Sequence, residues 1–421
     1  MEFVPRRWWS GPFDVEHLAW TAVARVRDAA QEVAITRGLD VTVDTTPALV
    51  AASFASFENL RVDGRAPEAW AELSGLVAAR DGWVRLHGNY PHHAAAIRSA
   101  LSVSDRAQLD RTARRLGAEE LEEAVCAAGG IAVAVRSRAD WARHPHGLAT
   151  ASAPWSEGHD RGDRPVLSRT ATPRELLRGI RVLDLTRVIA GPTCSQLLAC
   201  LGADVLRVDP PHRPEILDQY LSTGMGKRSV EINLRREADR VRALASSADV
   251  ILSGYRPGAL DRFGLGDEAL EQLAPQAVIV TLSAWGEAGP WCSRAGFDSI
   301  VQAATGIAAA CGSPDRPGAL PVQALDHSSG HLMAAHVLEA LARARAHTVR
   351  VSLLGAARTL LAATPPPPRE PAALDVPRVR VPSAEGVLDA VPPPLRIDGA
   401  TLERPVGRYG AARAEWSDRS G

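Results

Sequence analysis

Between residues 181 and 282, short apolar runs alternate with longer segments of helical period. Arg181–Leu185, Ala203–Val208, Asp249–Leu252 and Ala277–Leu282 are compact and rich in Val, Leu and Ile, while Ser229–Leu234 alternates apolar with polar. Near-continuous apolar runs of strand length are typical of strands buried on both faces. Thr193–Leu201, Arg235–Ser247 and Ala259–Leu273 carry the helical spacing between them. This rhythm predicts a mostly parallel sheet with helices on both faces. Ligands of such sheets sit beyond the carboxyl ends of the strands, here Thr186–Gly191 and Gly254–Gly258. Ser328–His347 reads as an amphipathic helix leading into the strand Val349–Ser352.

The flanks follow a different pattern. His17–Arg37 is a predicted helix, Val41–Asp44 a short strand and Pro47–Phe57 an apolar helix. Asp81–Leu86 reads as a turn into a strand, Gln108–Leu116 and Glu119–Ala127 as helices, and Gly130–Val135 as a strand. Ser137–Pro145 and the Pro/Ser/Gly/Asp-rich stretch to about Pro173 read as a connection, Pro365–Pro368 as a linker, and Pro371–Gly421 as an extended or partly disordered tail. The expected organisation is therefore α/β: a smaller α+β domain (1–175), a Rossmann-like large domain (176–363), and a linker and tail (364–421).

A chain of 421 residues can build a large core, and its net charge of −1 gives no reason to expect nucleic acid or an anionic membrane as partner. No apolar run has the length of a membrane span. Arg6-Arg7-Trp8-Trp9 is not followed by the apolar region of a secretory signal. Five cysteines without metal-ligand spacing suggest reduced thiols and a cytoplasmic setting. Cys194 and Cys200 lie in an apolar helical stretch and read as core residues. No metal site is expected.

The chemistry-bearing pieces cluster between 183 and 330. The turn Val188–Pro192 between strand and helix exposes backbone N–H groups at a helix mouth, where a phosphate is stabilised; it is also an ordinary turn. Gly226-Lys227-Arg228-Ser229 places two cations before a strand, and Arg256 with Arg262 adds more near neighbouring strand ends. There is no G-x-G-x-x-G and no P-loop. Asp326, before the predicted helix, reads either as an N-cap or as a carboxylate nucleophile toward a thioester. His87, Asn89, Tyr90, His92 and His93, with Trp83, read either as a pocket lining or as a surface loop.

In order and spacing, LDLTRVIAGP (183–192), LGADV (201–205), GKRS (226–229), YRPGALDRFGLG (255–266), Ser283–Pro290 and Asp326–Gly330 resemble the class III CoA-transferases, the formyl-CoA and carnitine CoA-transferase family. The resemblance implies a Rossmann-like large domain, an interlocked homodimer, and CoA transfer from an acyl-CoA donor to a carboxylic acid through a covalent intermediate on Asp326. It further implies that Val188, Ile189 and Ala190 line the CoA path and that Lys227, Arg262 and Phe263 contact its nucleotide or pantetheine end. CoA and acyl-CoA would be substrates, with no permanently bound cofactor. The segment Val41–Gly147 resembles the part that usually follows the large domain, so the chain reads as permuted or fused. Related racemases of 2-methylacyl-CoA carry Gly-His-Asp where this chain has Gly296-Phe297-Asp298, which disfavours proton transfer there. A racemase or lyase, with His327 as a substitute base, and a non-catalytic CoA-binding protein are the alternative readings.

Overall fold

The computed structural model describes residues 8–418 except 69, 314, 366, 368 and 369. Arg6 and Arg7, two prolines of the Pro365–Pro368 segment and the last three residues lie outside the described set. At its centre is a seven-stranded sheet: β1 (Ser156–Asp163), β2 (Arg181–Leu185), β3 (Asp204–Asp209), β4 (Arg228–Glu231), β5 (Val250–Ser253), β6 (Val278–Ser283) and β7 (Arg345–Ser352), in the order β1-β7-β6-β5-β2-β3-β4. All pairings are parallel except β1 with β7. The stretch expected to be a connection thus supplies the antiparallel edge strand β1. Its alternation of Gly, Asp and His hid it from any apolar pattern.

The chain fills the sheet in one direction from β2 to β4 and in the other from β5 to β7. The direction reverses between β2 and β5, the place where sheets of this kind bind their ligands at the carboxyl ends. Val182 to Leu185 and Val250 to Ser253 are all buried, as strands covered on both faces must be.

Four helices position the site: α1 (Val15–Thr36), α2 (Ala190–Cys200), α3 (Asp298–Thr305) and α4 (Ala324–Ala342). Helix α4 is apolar or small nearly all round and lies in the core, as such a helix must. It begins a turn before the predicted Ser328 and ends at Ala342, where Arg343 caps it and Ala344 turns to φ 52°. Helix α1 lies along one flank of α4, tied by Arg25 to Glu339 at 2.6 Å, and α2 crosses the other. At that crossing a Cβ on Gly330 would fall 2.2 Å from the Ala190 carbonyl oxygen, so only glycine permits the approach. The predicted helix Ala259–Leu273 is two pieces, a single turn at Asp261–Phe263 and a helix at Asp267–Leu273, separated by Gly264 in the left-handed region.

The segment 1–175 divides its side chains between two cores instead of forming one domain. Helix α1 joins the large core with α4, whereas Leu73–Ala132 closes a second core under the antiparallel strands Gly75–Ala78, Trp83–Leu86 and Ala132–Ala134. This smaller unit rests on α3. The tail is not loose: Val379–Ser383 and Gly386–Ala390 pair with each other and with Arg61–Val62, and Arg396–Ile397 pairs with Val43–Asp44. The N-terminal strands find their partners only in the last fifty residues, a pairing no local pattern reveals.

Gly330→Ala is expected to lower stability by about 1–3 kcal/mol, the usual range for overpacking, because neither helix can yield backbone. Thermal melts of the two proteins at one pH test this; equal midpoints would mean that the α2–α4 crossing is slack.

Candidate active site

The strand-to-helix turn after β2 is built on a buried acid. Asp184 accepts hydrogen bonds from the Thr186 amide (2.9 Å), the Thr186 hydroxyl and the Ser195 hydroxyl. Lys227 lies 3.6 Å away and donates to the Pro192 carbonyl at 2.9 Å. These contacts fasten the end of β2 to the first turn of α2, where no side chain provides a cap. Between them Val188 sits at φ 70°. A β-branched residue there carries strain of roughly 1–3 kcal/mol. Glu215 holds it, accepting from the Val188 amide at 2.9 Å. Glu215 is itself fixed by Arg207 at 2.9 Å and by the Tyr90 hydroxyl.

The second half of the site begins at α3. Asp298 is fully buried, and its Oδ2 accepts the backbone N–H groups of Leu325 (2.8 Å) and Asp326 (3.0 Å). The Gln302 amide donates to the other oxygen, and the Gln302 carbonyl oxygen accepts from the Leu320 amide at 2.9 Å. The residue before α4, Gln323, makes no side-chain cap. Asp298 therefore satisfies from outside two of the amides that a helix start leaves unpaired. Asp326 is the third residue of α4, inside its first turn, and is not the N-cap. It is 6% exposed, and no described residue donates a hydrogen bond to its carboxylate.

Burial pushes the Asp326 carboxyl well above the ordinary carboxylate range, and the Asp298 charge pushes it further. Burial also raises Asp298, to about 6, against the opposing pull of the amides and of Gln302.

The α2–α4 crossing brings the two halves together. Gly330, one turn after Asp326, touches Ala190 of the strained turn. His327 turns its Nδ1 to the Thr193 hydroxyl at 3.4 Å and lays its ring 5.2 Å from that of Phe54; burial lowers it to about 4. Its ring therefore faces Thr193 on α2 and Phe54 of the helix Pro47–Phe54, away from a role as second base. Gly330 is interior to α4, so its amide belongs to the helical ladder and is not an open oxyanion donor.

The predicted CoA contacts divide. Val188 and Ile189 are part-exposed at the mouth of α2, and Ala190 is buried beneath them. Arg262 is exposed, with its guanidinium over the Phe263 ring at 4.7 Å. Their turn borders a cavity of about 450 Å³ at the ends of β5 and β6, lined by Tyr255, Pro257, Gly258, Asp261 and Thr281 among others. Lys227 differs from expectation: it is buried on the Asp184 carboxylate, which would compete with any phosphate, and burial lowers the pKa of its ammonium to about 8. Local sequence shows a Lys in a glycine loop but not the acid beneath it. Cys194 and Cys200 are buried core residues, and burial pushes the Cys200 thiol up to about 12.

The His–Tyr segment is not a surface loop. His87 stacks on Phe297 at 3.8 Å, Tyr90 reaches Glu215, and Pro91 opens a helix to Leu101. Sequence reasoning missed Glu215, whose partners lie far from it along the chain. Among the described residues no cluster of His, Cys, Asp and Glu could hold a metal ion, and no helix is long and apolar enough to cross a membrane.

Asp326→Asn tests the buried pair. Both folded-state carboxyls titrate above the unfolded value, so their stabilising effect is complete below the ordinary carboxylate range and is lost as pH rises through about 6 and beyond. The variant is expected to match the parent near pH 4 and to exceed it by about 1–3 kcal/mol at pH 8, the usual cost of an unpaired buried polar group. Chemical denaturation at the two pH values measures this; a gap independent of pH contradicts it.

Comparison with known proteins shows what this chain resembles. Residues 177–377 match CoA-transferase family III. The chain is 36% identical over 188 residues to a probable fatty acyl-CoA transferase of Mycobacterium tuberculosis, covering 41% of this chain and 48% of that one. It is 36% identical over 159 residues to a succinyl-CoA–D-citramalate CoA-transferase of Chloroflexus aurantiacus, covering 34% and 40%. The crystal structure of the Mycobacterium tuberculosis protein matches with a TM-score of 0.42 at 36% identity, over 45% of this chain and 57% of that one. The chain thus spans about half the length of the curated relatives it matches.

Proposed function

We propose that this chain, whose residues 177–377 match CoA-transferase family III, moves coenzyme A reversibly from an acyl-CoA thioester to a carboxylic acid, with Asp326 as the covalent nucleophile. The observation that carries the reading is the unpartnered Asp326 carboxylate, buried within one helical turn of the contact between Gly330 and Ala190. Relatives named for transfer from succinyl-CoA or acetyl-CoA to organic acids support CoA transfer as the reaction class.

In this reading an ionised Asp326 oxygen attacks the thioester carbonyl and the C–S bond breaks, leaving a mixed anhydride and CoA thiolate. The thiolate attacks the aspartyl carbonyl, releasing the donor acid and forming an aspartyl-CoA thioester. The acceptor carboxylate attacks that carbonyl and expels the thiolate. The thiolate then takes the acceptor's acyl group from the new anhydride and frees Asp326. Burial favours each attack, since a carboxylate without hydrogen bonds is a better nucleophile than a solvated one and water cannot hydrolyse the anhydride. The strained Val188–Ala190 turn and the uncapped start of α2 would carry the CoA path, with Arg262 and Phe263 at its nucleotide end beside the cavity. Lys227 acts from below, holding the turn through Pro192 and Asp184.

Racemisation has less support. Phe297 cannot carry a proton, and His327 faces Thr193 and Phe54.

Incubation with acetyl-CoA and hydroxylamine, followed by intact-mass and peptide mass spectrometry, is expected to place a hydroxamate on Asp326. Asp326→Ala should lose transfer by about 10³-fold or more, the scale of a lost nucleophile. Full activity in that variant would remove the residue from the chemistry. Because Asp326 must ionise, kcat/KM should rise with pH through an apparent value above the ordinary carboxylate range. Asp298→Asn should move that limb to lower pH by removing the neighbouring charge; an unmoved limb would show that another group sets it.

A further inference from the structure

The segment that carries Glu215 has little regular structure of its own. Pro210-Pro211-His212-Arg213-Pro214-Glu215 runs between β3 and the short helix Leu217–Thr223, and its three prolines donate no backbone hydrogen bond. Yet the Glu215 carboxylate must stay in place, because it accepts the amide of Val188 and so holds that residue at φ 70°. The backbone of Glu215 is fixed from another part of the chain: its N–H donates to the Tyr409 hydroxyl at 2.9 Å.

Tyr409 belongs to a strap that the end of the chain lays along β4. The Gly226 amide donates to the Pro405 carbonyl (2.9 Å) and the Tyr220 hydroxyl to the Gly407 carbonyl (2.9 Å). The amides of Gly410 and Ala412 donate to the Ser229 hydroxyl (3.0 Å) and carbonyl (2.8 Å). Arg228 reaches the Glu415 carbonyl, and the Ser417 amide reaches Asp204. Strand β4 ends the sheet, and these bonds cover its open edge. None of them uses the Tyr409 hydroxyl. That group leaves the edge and crosses to Glu215, while its ring meets the Tyr220 ring edge-on at 5.1 Å. The Ser229 hydroxyl donates in turn to Asp209 (3.2 Å), the partner of Arg207, and Arg207 also pairs with Glu215. The strap therefore meets the charged network that holds Val188 at two points.

We propose that Tyr409 is a positioning residue for acyl-CoA binding: it fixes the Glu215 backbone, and through the Glu215 carboxylate it keeps the Val188 turn in its left-handed form. This rests on the reading above that the turn carries the CoA path. Without the Tyr409 oxygen, the N–H of the buried Glu215 loses its acceptor, and the proline-rich loop must move to find another. A displaced carboxylate releases the Val188 amide, and a β-branched residue then leaves positive φ. Glycine at position 188 would hold that φ unaided, so the contribution of Tyr409 should vanish with the Val188 side chain. Tyr409 lies outside the 177–377 segment that matches the family.

The test measures CoA binding by calorimetry in the full chain and in Tyr409→Phe, Val188→Gly, the double variant and Tyr220→Phe. The half-saturating acetyl-CoA concentration and the maximal rate of hydroxamate formation on Asp326 are measured in parallel. Tyr409→Phe should weaken CoA binding and raise the half-saturating concentration by about tenfold, the size of one hydrogen bond in a buried charged network. Its maximal rate should stay within about twofold, as for a residue that acts on binding alone. The double variant should lose less than about twofold relative to Val188→Gly, because the two changes then act on one path. Tyr220→Phe, which removes a strap bond that does not involve Glu215, should bind CoA as the full chain does. Unaltered CoA binding in Tyr409→Phe, an equal loss with and without Val188→Gly, or a matching loss in Tyr220→Phe overturns the role. If Tyr409→Phe does not fold, the double variant decides: binding within about twofold of Val188→Gly supports the path, and weaker binding overturns it. A full chain that binds CoA but forms no hydroxamate removes the transferase reading and leaves the binding comparison to judge Tyr409. A full chain that does not bind CoA overturns the role of Tyr409, and hydroxamate formation then judges the transferase reading separately.

Discussion

A single buried carboxylate organises the site. Asp298 takes the two amides at the start of α4 that no residue of α4's own approach caps, and in doing so it fixes where Asp326 emerges from the helix. The same charge then opposes ionisation of Asp326. Structure and electrostatics are coupled through one group: the anchor that fixes the start of α4 also raises the Asp326 carboxyl above the ordinary range. Such an arrangement is costly for a fold, and it persists because Gln302, Leu320 and the α3–α4 packing hold Asp298 with no freedom to turn away.

The sheet supplies the other constraint. Its direction of filling reverses between β2 and β5, so the loops that follow these two parallel neighbours leave the carboxyl edge side by side. Asp184 and Lys227 then make the β2 loop rigid from beneath, and Glu215 makes it strained from the side. Held from below, Val188 and Ile189 stay part-exposed at the mouth of α2. The close contact of Gly330 with Ala190 joins this loop to the Asp326 helix with no intervening side chain. The smaller unit adds the His87–Tyr90 wall from a part of the chain far removed in sequence.

The parallel core was legible in the sequence because each of its strands is a compact apolar run with both faces buried. Asp326 was singled out through the order of motifs around it, but its place inside the helix was not legible. The helix starts at Ala324, since the group that caps it, Asp298 on α3, lies 28 residues before Asp326. Strand β1 was missed because an edge strand needs no apolar face, and the tail's strands because their partners are Arg61–Val62 and Val43–Asp44 at the other end of the chain. Lys227 was misread for the converse reason: the motif gives a cation in a loop, and only the fold reveals that Asp184 lies under it. Local pattern identified the elements, while long-range polar pairing decided what each charged residue does.

The central claim is that Asp298 and Asp326 form a coupled, desolvated pair in the resting protein. A carbon-13 NMR titration of aspartate side-chain carboxyls, assigned with Asp298→Asn and Asp326→Asn, tests it most directly. The account predicts that the Asp326 signal titrates well above the ordinary carboxylate range and moves down when Asp298 is neutralised. Two independent titrations in the ordinary range, each indifferent to the other's substitution, would contradict it.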